Sequence, residues 1–396
     1  MKSTFKYLYI FIAFLLMAFA ATGCESPSEN EPPGEENGGD SADSSEGDGR
    51  LLLIYAVAAN NLDTYLTYDM REICKAGKDL NLNDNCVLVY SVDRSNEPKL
   101  QRLVKRNGDY VFETVHVFNE KLPLSTSPER MREVIEYVCS QYQYSTYGLV
   151  LWSHATGWRP FFGGSTPAQV RKYTFGQDYY EGQQYQMQIT QLPEGIPDGI
   201  FDFIWFDCCY MGNIETIFQL REKADKIVGY VMEIASEGMP YDLTMPYLLR
   251  NNANLIGAAE QLFDYYEYRN TAVTVSIVDT EGLDALARAS SEFFLNGTPP
   301  TSFANIKNYS RLAGYPFYDM GQLLEAYQGI TAEEVAKLKE AFSGCLEYKA
   351  ITDFDFNNRY IAPEKFSGLS MHHFIDNGSA DENFYKTLDW FNATRY

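Results

Sequence analysis

The chain has 396 residues, a formal net charge of −22, 45% hydrophobic and 15% aromatic content. This acidic balance excludes nucleic acid as a partner, because a phosphate backbone rewards clustered Lys and Arg. A chain this long builds its core without staples, and its seven cysteines show no CxxC pair or metal-finger spacing, so no disulfide framework is expected.

In chain order, Lys2 and Lys6 precede a nearly unbroken apolar stretch from Tyr7 to Ala21. That stretch is short for a membrane span and suits a signal peptide. Ala21-Thr22-Gly23-Cys24 resembles a bacterial lipobox, which implies cleavage before Cys24 and a lipid on its thiol. Residues 1–24 are therefore expected to be a lipoprotein leader, placing the protein in the bacterial cell envelope, at the outer membrane or cell surface. Residues 25–49 contain no aromatic and no aliphatic residue larger than Ala, so they are expected to form a disordered acidic tether. Setting aside nine tether acids and two leader lysines leaves −15 of the formal −22 on residues 50–396. An acidic body of this kind favours cationic substrates.

From Leu51 onward, strand-like and helix-like segments alternate. Leu51–Ala58 reads as a buried strand ending at Asn60-Asn61-Leu62-Asp63, a helix start. Cys86–Val92 is the second strand, and Ser127–Tyr142 a helix with apolar residues at helical spacing. Tyr147–Ser153, Phe201–Phe206, Lys226–Met232 and Ala272–Val278 are the third to sixth strands, with helices after Phe206 and near Ala258–Tyr266. The alternation predicts an α/β fold, a three-layer α/β/α sandwich with a mainly parallel sheet, over residues 50–295. Residues 296–396 are expected to form a small C-terminal α+β subdomain packed on it. Ala155–Ile200 breaks the rhythm; long loops inside compact domains are usually functional, so it is expected to border a site.

Two apolar runs stop at reactive residues. Tyr147–Gly157 (YGLVLWSHATG) delivers His154, and Phe201–Gly212 (FDFIWFDCCYMG) delivers Cys209. Ligands of parallel sheets bind outside the carboxyl ends of the strands, so this pair is a candidate thiol nucleophile and base. Strand alternation puts Asp207 and Cys209 on one face and Cys208 on the other, leaving Cys208 for packing. A position between a strand and the next helix is expected to stabilise the Cys209 thiolate at a helix N-terminus. His116, His372 and His373 lack the strand-end context.

His154-x-x-Gly157-Trp158 followed by Asp207-x-Cys209-x-Met211 resembles the clostripain-like cysteine peptidases of the caspase–gingipain–legumain fold group. Weaker echoes are Tyr55 through Asn60-Asn61-Leu62, the segment from Glu233 to Gly238-Met239-Pro240-Tyr241, and Phe366-Ser367-Gly368-Leu369-Ser370. The resemblance implies a caspase-like fold and a cysteine endopeptidase cutting after Arg or Lys, with Cys209 as nucleophile and His154 as base. It further implies an oxyanion site formed by the backbone N–H groups of Ala155 and Cys209. Ala155 stands where the family usually has Gly, and strain would follow if that position required positive φ. Asp207, Glu233 and Trp158 are the expected substrate contacts, the two acids serving an Arg or Lys side chain and Trp158 forming a pocket wall. Arg159, Arg171 and Lys172 are candidate self-cleavage points. Some relatives use calcium, but no Asp-rich EF-hand loop occurs, so no cofactor is assigned. The expected partners are a peptide or protein substrate and the membrane through Cys24, with the chain a monomer. The alternative is a catalytically weak surface lipoprotein that binds peptides or a partner.

Overall fold

The computed structural model describes residues 45–395, apart from 96, 119–121, 160–173 and 312–315. The strands are β1 (Ser45–Val57), β2 (Cys86–Val92), β3 (Lys99–Arg106), β4 (Asp109–Val117), β5 (Tyr142–Trp152), β6 (Phe175–Tyr180) and β7 (Gln183–Met187). They continue with β8 (Phe201–Asp207), β9 (Ala224–Gly229), β10 (Thr274–Asp279), β11 (Tyr318–Asp319), β12 (Leu346–Ile351) and β13 (Ser370–Met371). Nine of them make one sheet in the order β12-β10-β9-β8-β5-β1-β2-β3-β4. The five central strands β9, β8, β5, β1 and β2 are parallel, and both flanks are antiparallel.

The parallel strands are apolar on both faces because both faces are covered. Along β1, Leu51, Leu53, Tyr55 and Val57 enter one core, and Leu52, Ile54 and Ala56 enter the other. The first core lies under helices Pro128–Gln141 and Leu283–Asn296, the second under Asp63–Ala76 and Leu255–Tyr268. This is the three-layer caspase-like sandwich expected from the sequence.

Several boundaries differ from the sequence reading. β1 begins at Ser45, where Ser45, Glu46 and Gly47 pair with Tyr142, Gln143 and Tyr144, so the tether ends before residue 49. Residues 25–44, with the leader and Cys24, lie outside the described residues. The hairpin β3–β4 turns at Asn107-Gly108, both at positive φ (53° and 97°), a turn signal that the reading passed over. A second hairpin, β6–β7, stands inside the stretch expected to be loop. The C-terminal hundred residues do more than pack on the sheet. They supply its edge strand β12, antiparallel to β10, and share the first core, so Asp43–Tyr396 forms one compact unit. Among the described residues no helix is long and apolar enough to cross a membrane.

Candidate active site

Parallel pairing fixes where the two reactive residues lie. In the β5–β8 register Trp152 stands opposite Asp207, and each chain runs two residues further, to His154 and to Cys209. Neighbouring strands are about 4.8 Å apart, so both residues leave the same edge of the sheet side by side. The chain enters the sheet at β1, steps to β2 on one side and later to β5 and β8 on the other. The β1–β5 boundary is thus the switch point, where open α/β sheets form their binding crevice.

The third contributor comes from the end of β1. Asn60 is buried and tied down: its amide donates to the carbonyls of Val57 (3.0 Å) and Gln177 (2.7 Å), and its Oδ1 accepts from Leu62 N–H. That frees Asn61, which is exposed, to place Oδ1 2.9 Å from His154 Nε2. An amide oxygen only accepts, so Nε2 carries the proton and Nδ1 keeps the lone pair. Burial lowers the imidazole pKa, which holds His154 neutral near pH 7. Sequence reasoning read Asn61 as part of a helix start and a family echo, and gave it no role beside His154.

Cys209 is half-buried and its thiol donates to Ile234 C=O at 3.7 Å. Burial, with the Glu233 and Asp207 charges adding to it, pushes its pKa up to about 12. The expected helix-dipole support is absent, because the next helix starts at Ile214, with Asn213 as its cap, and spans only six residues. Cys209 instead lies in a turn that Tyr210 carries at φ 62°. Cys208 is buried in the first core, as alternation requires.

Neither the Ala155 N–H nor the Cys209 N–H donates a hydrogen bond among the described residues, while their neighbours do: Thr156 N to Thr174 O and Tyr210 N to Met232 O. Ala155 does not adopt positive φ; Gly157 does, at 71°. Alanine is therefore unstrained at its position, and the glycine requirement falls two residues later. There a Cβ would lie 2.9 Å from Asn213 Nδ2 and from Phe317 Cζ.

The expected substrate contacts fare unequally. Asp207 is buried; its carboxylate accepts from Met239 N–H at 3.1 Å and from Tyr241 O–H at 3.0 Å, bracing the segment after Glu233. Burial raises its pKa to about 6. Asp69, which sequence reasoning missed, accepts from Trp152 Nε1 at 2.8 Å and is pushed to about 9, by burial first and the Asp207 charge second. Glu72 accepts from Tyr241 N–H and rises to about 7 by burial, with Asp242 next. Asp207, Asp69 and Glu72 are thus neighbouring carboxyl groups, each pushed up first by burial. Glu233 already pairs with Arg311 at 2.8 Å, which neutralises it. Trp158 is no pocket wall. It is fully buried, 4.8 Å from the Tyr385 ring and 5.1 Å from His372, because the positive-φ turn at Gly157 folds it into the core. Arg159 pairs with Asp381, while Arg171 and Lys172 lie outside the described residues. No group of His, Cys, Asp and Glu suited to a metal occurs among the described residues. An apolar cavity of about 560 Å³ between helices Leu283–Asn296 and Ala332–Cys345 shares no lining residue with this crevice.

The family model described as the Clostripain family matches residues 54–343, which takes in the Asn61, His154 and Cys209 positions together. The chain belongs to the clostripain family. As a clostripain-family member it is a cysteine-type peptidase. It is similar to a secreted C11 cysteine protease from Bacteroides thetaiotaomicron, solved in complex with an irreversible peptide inhibitor (27% identity, TM-score 0.75, covering 87% of this chain and 98% of that one). It is also similar to an inactive zymogen C11 protease from Parabacteroides distasonis (26% identity, TM-score 0.74, 87% and 97%). A second secreted C11 protease from Bacteroides thetaiotaomicron shares the fold (21% identity, TM-score 0.74, 88% and 99%). No curated protein matches the chain.

Proposed function

We propose that this clostripain-family peptidase is an endopeptidase that cuts after Arg or Lys through a Cys209–His154 dyad. The observation that carries the reading is the register of β5 against β8, which brings His154 and Cys209 out side by side next to the switch point. In the reaction, the Cys209 thiol turns from Ile234 C=O toward His154, gives its proton to Nδ1, and the sulfur adds to the scissile carbonyl. The oxyanion takes the two uncommitted N–H groups, of Ala155 and Cys209. His154 then protonates the departing amine, leaving a thioester. Water adds to it with His154 accepting the proton, and the acid leaves with Cys209 restored.

The carboxyl set around Asp207 and Asp69 supports a lysine or arginine side chain as the group recognised. Burial raises the pKa of both acids, with the Asp207 charge adding to it at Asp69, and a bound cation would offset this. The lipobox-like quartet at Cys24 and the acidic segment after it support anchoring to the cell envelope. Palmitate incorporation into the wild type but not into Cys24→Ser checks the anchor.

The activity is tested with a fluorogenic peptide panel varying the residue before the cut. Wild type should cleave Lys and Arg peptides, Cys208→Ala should keep most of that activity, and Cys209→Ala should have none. Equal turnover by both variants sinks the nucleophile assignment. The Cys209–Ile234 contact favours one second reading, a surface protein that holds peptides with little turnover. A peptidyl-arginine ketone that leaves Cys209 unlabelled would support it.

A further inference from the structure

The segment that follows His154 is fastened to the end of the chain. Trp158 inserts between Tyr385 and His372, and Arg159 Nε donates to Asp381 Oδ2 at 3.0 Å, with Nη2 reaching the same oxygen. The two side chains are only 14% and 15% exposed, so this is a shielded ion pair rather than a surface one. Asp381 and Tyr385 belong to helix Ala380–Tyr385, capped by Ser379. The same helix also reaches the nucleophile side. Glu215, in the first turn after the Cys209 loop, accepts from Tyr385 O–H at 3.0 Å and from His372 N–H at 2.7 Å. Glu382 meets His372 Nε2 at 3.1 Å. One short helix therefore grips the chain on both sides of the dyad.

The junction packs Trp158 in the core but also buries many polar groups. Among the described residues, Trp158 Nε1, His372 Nδ1, Glu215 Oε2, Asp381 Oδ1 and Glu382 Oε2 are buried there with no hydrogen-bond partner. Unsatisfied buried polar groups cost free energy, and apolar side chains of similar volume would pack the space more stably. Arg159–Asp381 and the groups around it instead fix one arrangement of the turn that carries His154.

We propose that helix Ala380–Tyr385, acting through Asp381 on Arg159, is a brace that positions the His154 imidazole for proton transfer. Asp381 and Arg159 are positioning residues, touching neither substrate nor the reacting atoms. The inference rests on His154 being the base. A turn released from its anchor displaces the imidazole from Asn61 and from the sulfur while leaving the cation-binding acids on β8 and helix Asp63–Ala76 in place.

The test uses the full chain with Asp381→Ala, Asp381→Glu and the reversed pair Arg159→Asp/Asp381→Arg. Asp381→Ala should lower kcat about 10- to 100-fold on a Lys peptide with KM little changed, as expected for misplaced reacting groups. Asp381→Glu and the reversed pair should each regain most of the loss. Melting temperature and the NMR titration of His154, assigned with His154→Gln, are measured on every variant. Asp381→Ala should shift the His154 titration at a temperature where the protein is fully folded. Wild-type kcat in a folded Asp381→Ala, or a loss that follows the folded fraction and is not rescued by Glu, overturns the brace. So does an unmoved His154 titration, which decides the matter even if the wild type proves inactive. Wild-type inactivity would count against the peptidase dyad alone.

Discussion

His154 and Asn61 meet across the switch point of the sheet, Nε2 to Oδ1 at 2.9 Å, with β5 delivering one and the turn after β1 the other. The bond fixes the imidazole tautomer that leaves Nδ1 with its lone pair, as the proposed dyad requires of its base. Asn61→Ala should therefore reduce kcat about 10- to 100-fold, the range of a mispositioned general base, with KM nearly unchanged. Steady-state kinetics on a Lys peptide measures this, and an unchanged kcat would remove Asn61 from the mechanism.

Asp207 has a structural role and, in the proposed function, a recognition role, and one substitution separates them. Asn keeps an oxygen for Met239 N–H and Tyr241 O–H but loses the charge. Asp207→Asn should fold with a melting temperature near that of the wild type, and its KM for Lys and Arg peptides should rise about tenfold, about 1.4 kcal/mol of lost attraction. A KM that does not move would assign cation recognition to Asp69 or elsewhere.

The raised carboxyl pKa values carry a stability signature. Burial lifts Asp207 to about 6, Glu72 and Glu215 to about 7 and Asp69 to about 9. These folded-state values exceed the unfolded ones of about 4, so the native state binds more protons and stability falls as pH rises. The contribution is complete near pH 4 and is lost progressively up to about pH 9. In the opposite direction, burial would raise Asp355, but hydrogen bonds from Lys307 and Arg359 hold it at about 2, which removes stability below about pH 4. Melting temperature against pH should peak in mild acid and decline toward pH 9. A curve rising from 5 to 9 would contradict these environments.

Trp158 is core rather than pocket, which predicts damage to stability ahead of specificity. Trp158→Ala should cost about 3–5 kcal/mol by the cavity it opens. Denaturant titration measures this, and preference among P1 residues should persist in whatever fraction remains folded.

The central strands were legible because each is an unbroken apolar run, and two of those runs lead directly to His154 and Cys209 at the same sheet edge. Hydrogen-bond partners were not legible: Asn61 reaches His154 over 93 positions of sequence. The hairpin β6–β7 hid because its strands, FGQDYY and QQYQM, are largely polar and carry no buried-strand pattern. Trp158 was misplaced because its direction depends on the positive φ of Gly157, which residue type permits but does not announce. The thiol's surroundings were misjudged for the same kind of reason, since the turn through Tyr210 inserts residues between Cys209 and the helix.

The strand Leu346–Ile351 closes one border of the sheet, and the helix at Ala380–Tyr385 grips the histidine turn, yet both follow every reactive residue in the sequence. A nascent chain holding every reactive group still lacks its final strand and its clasp.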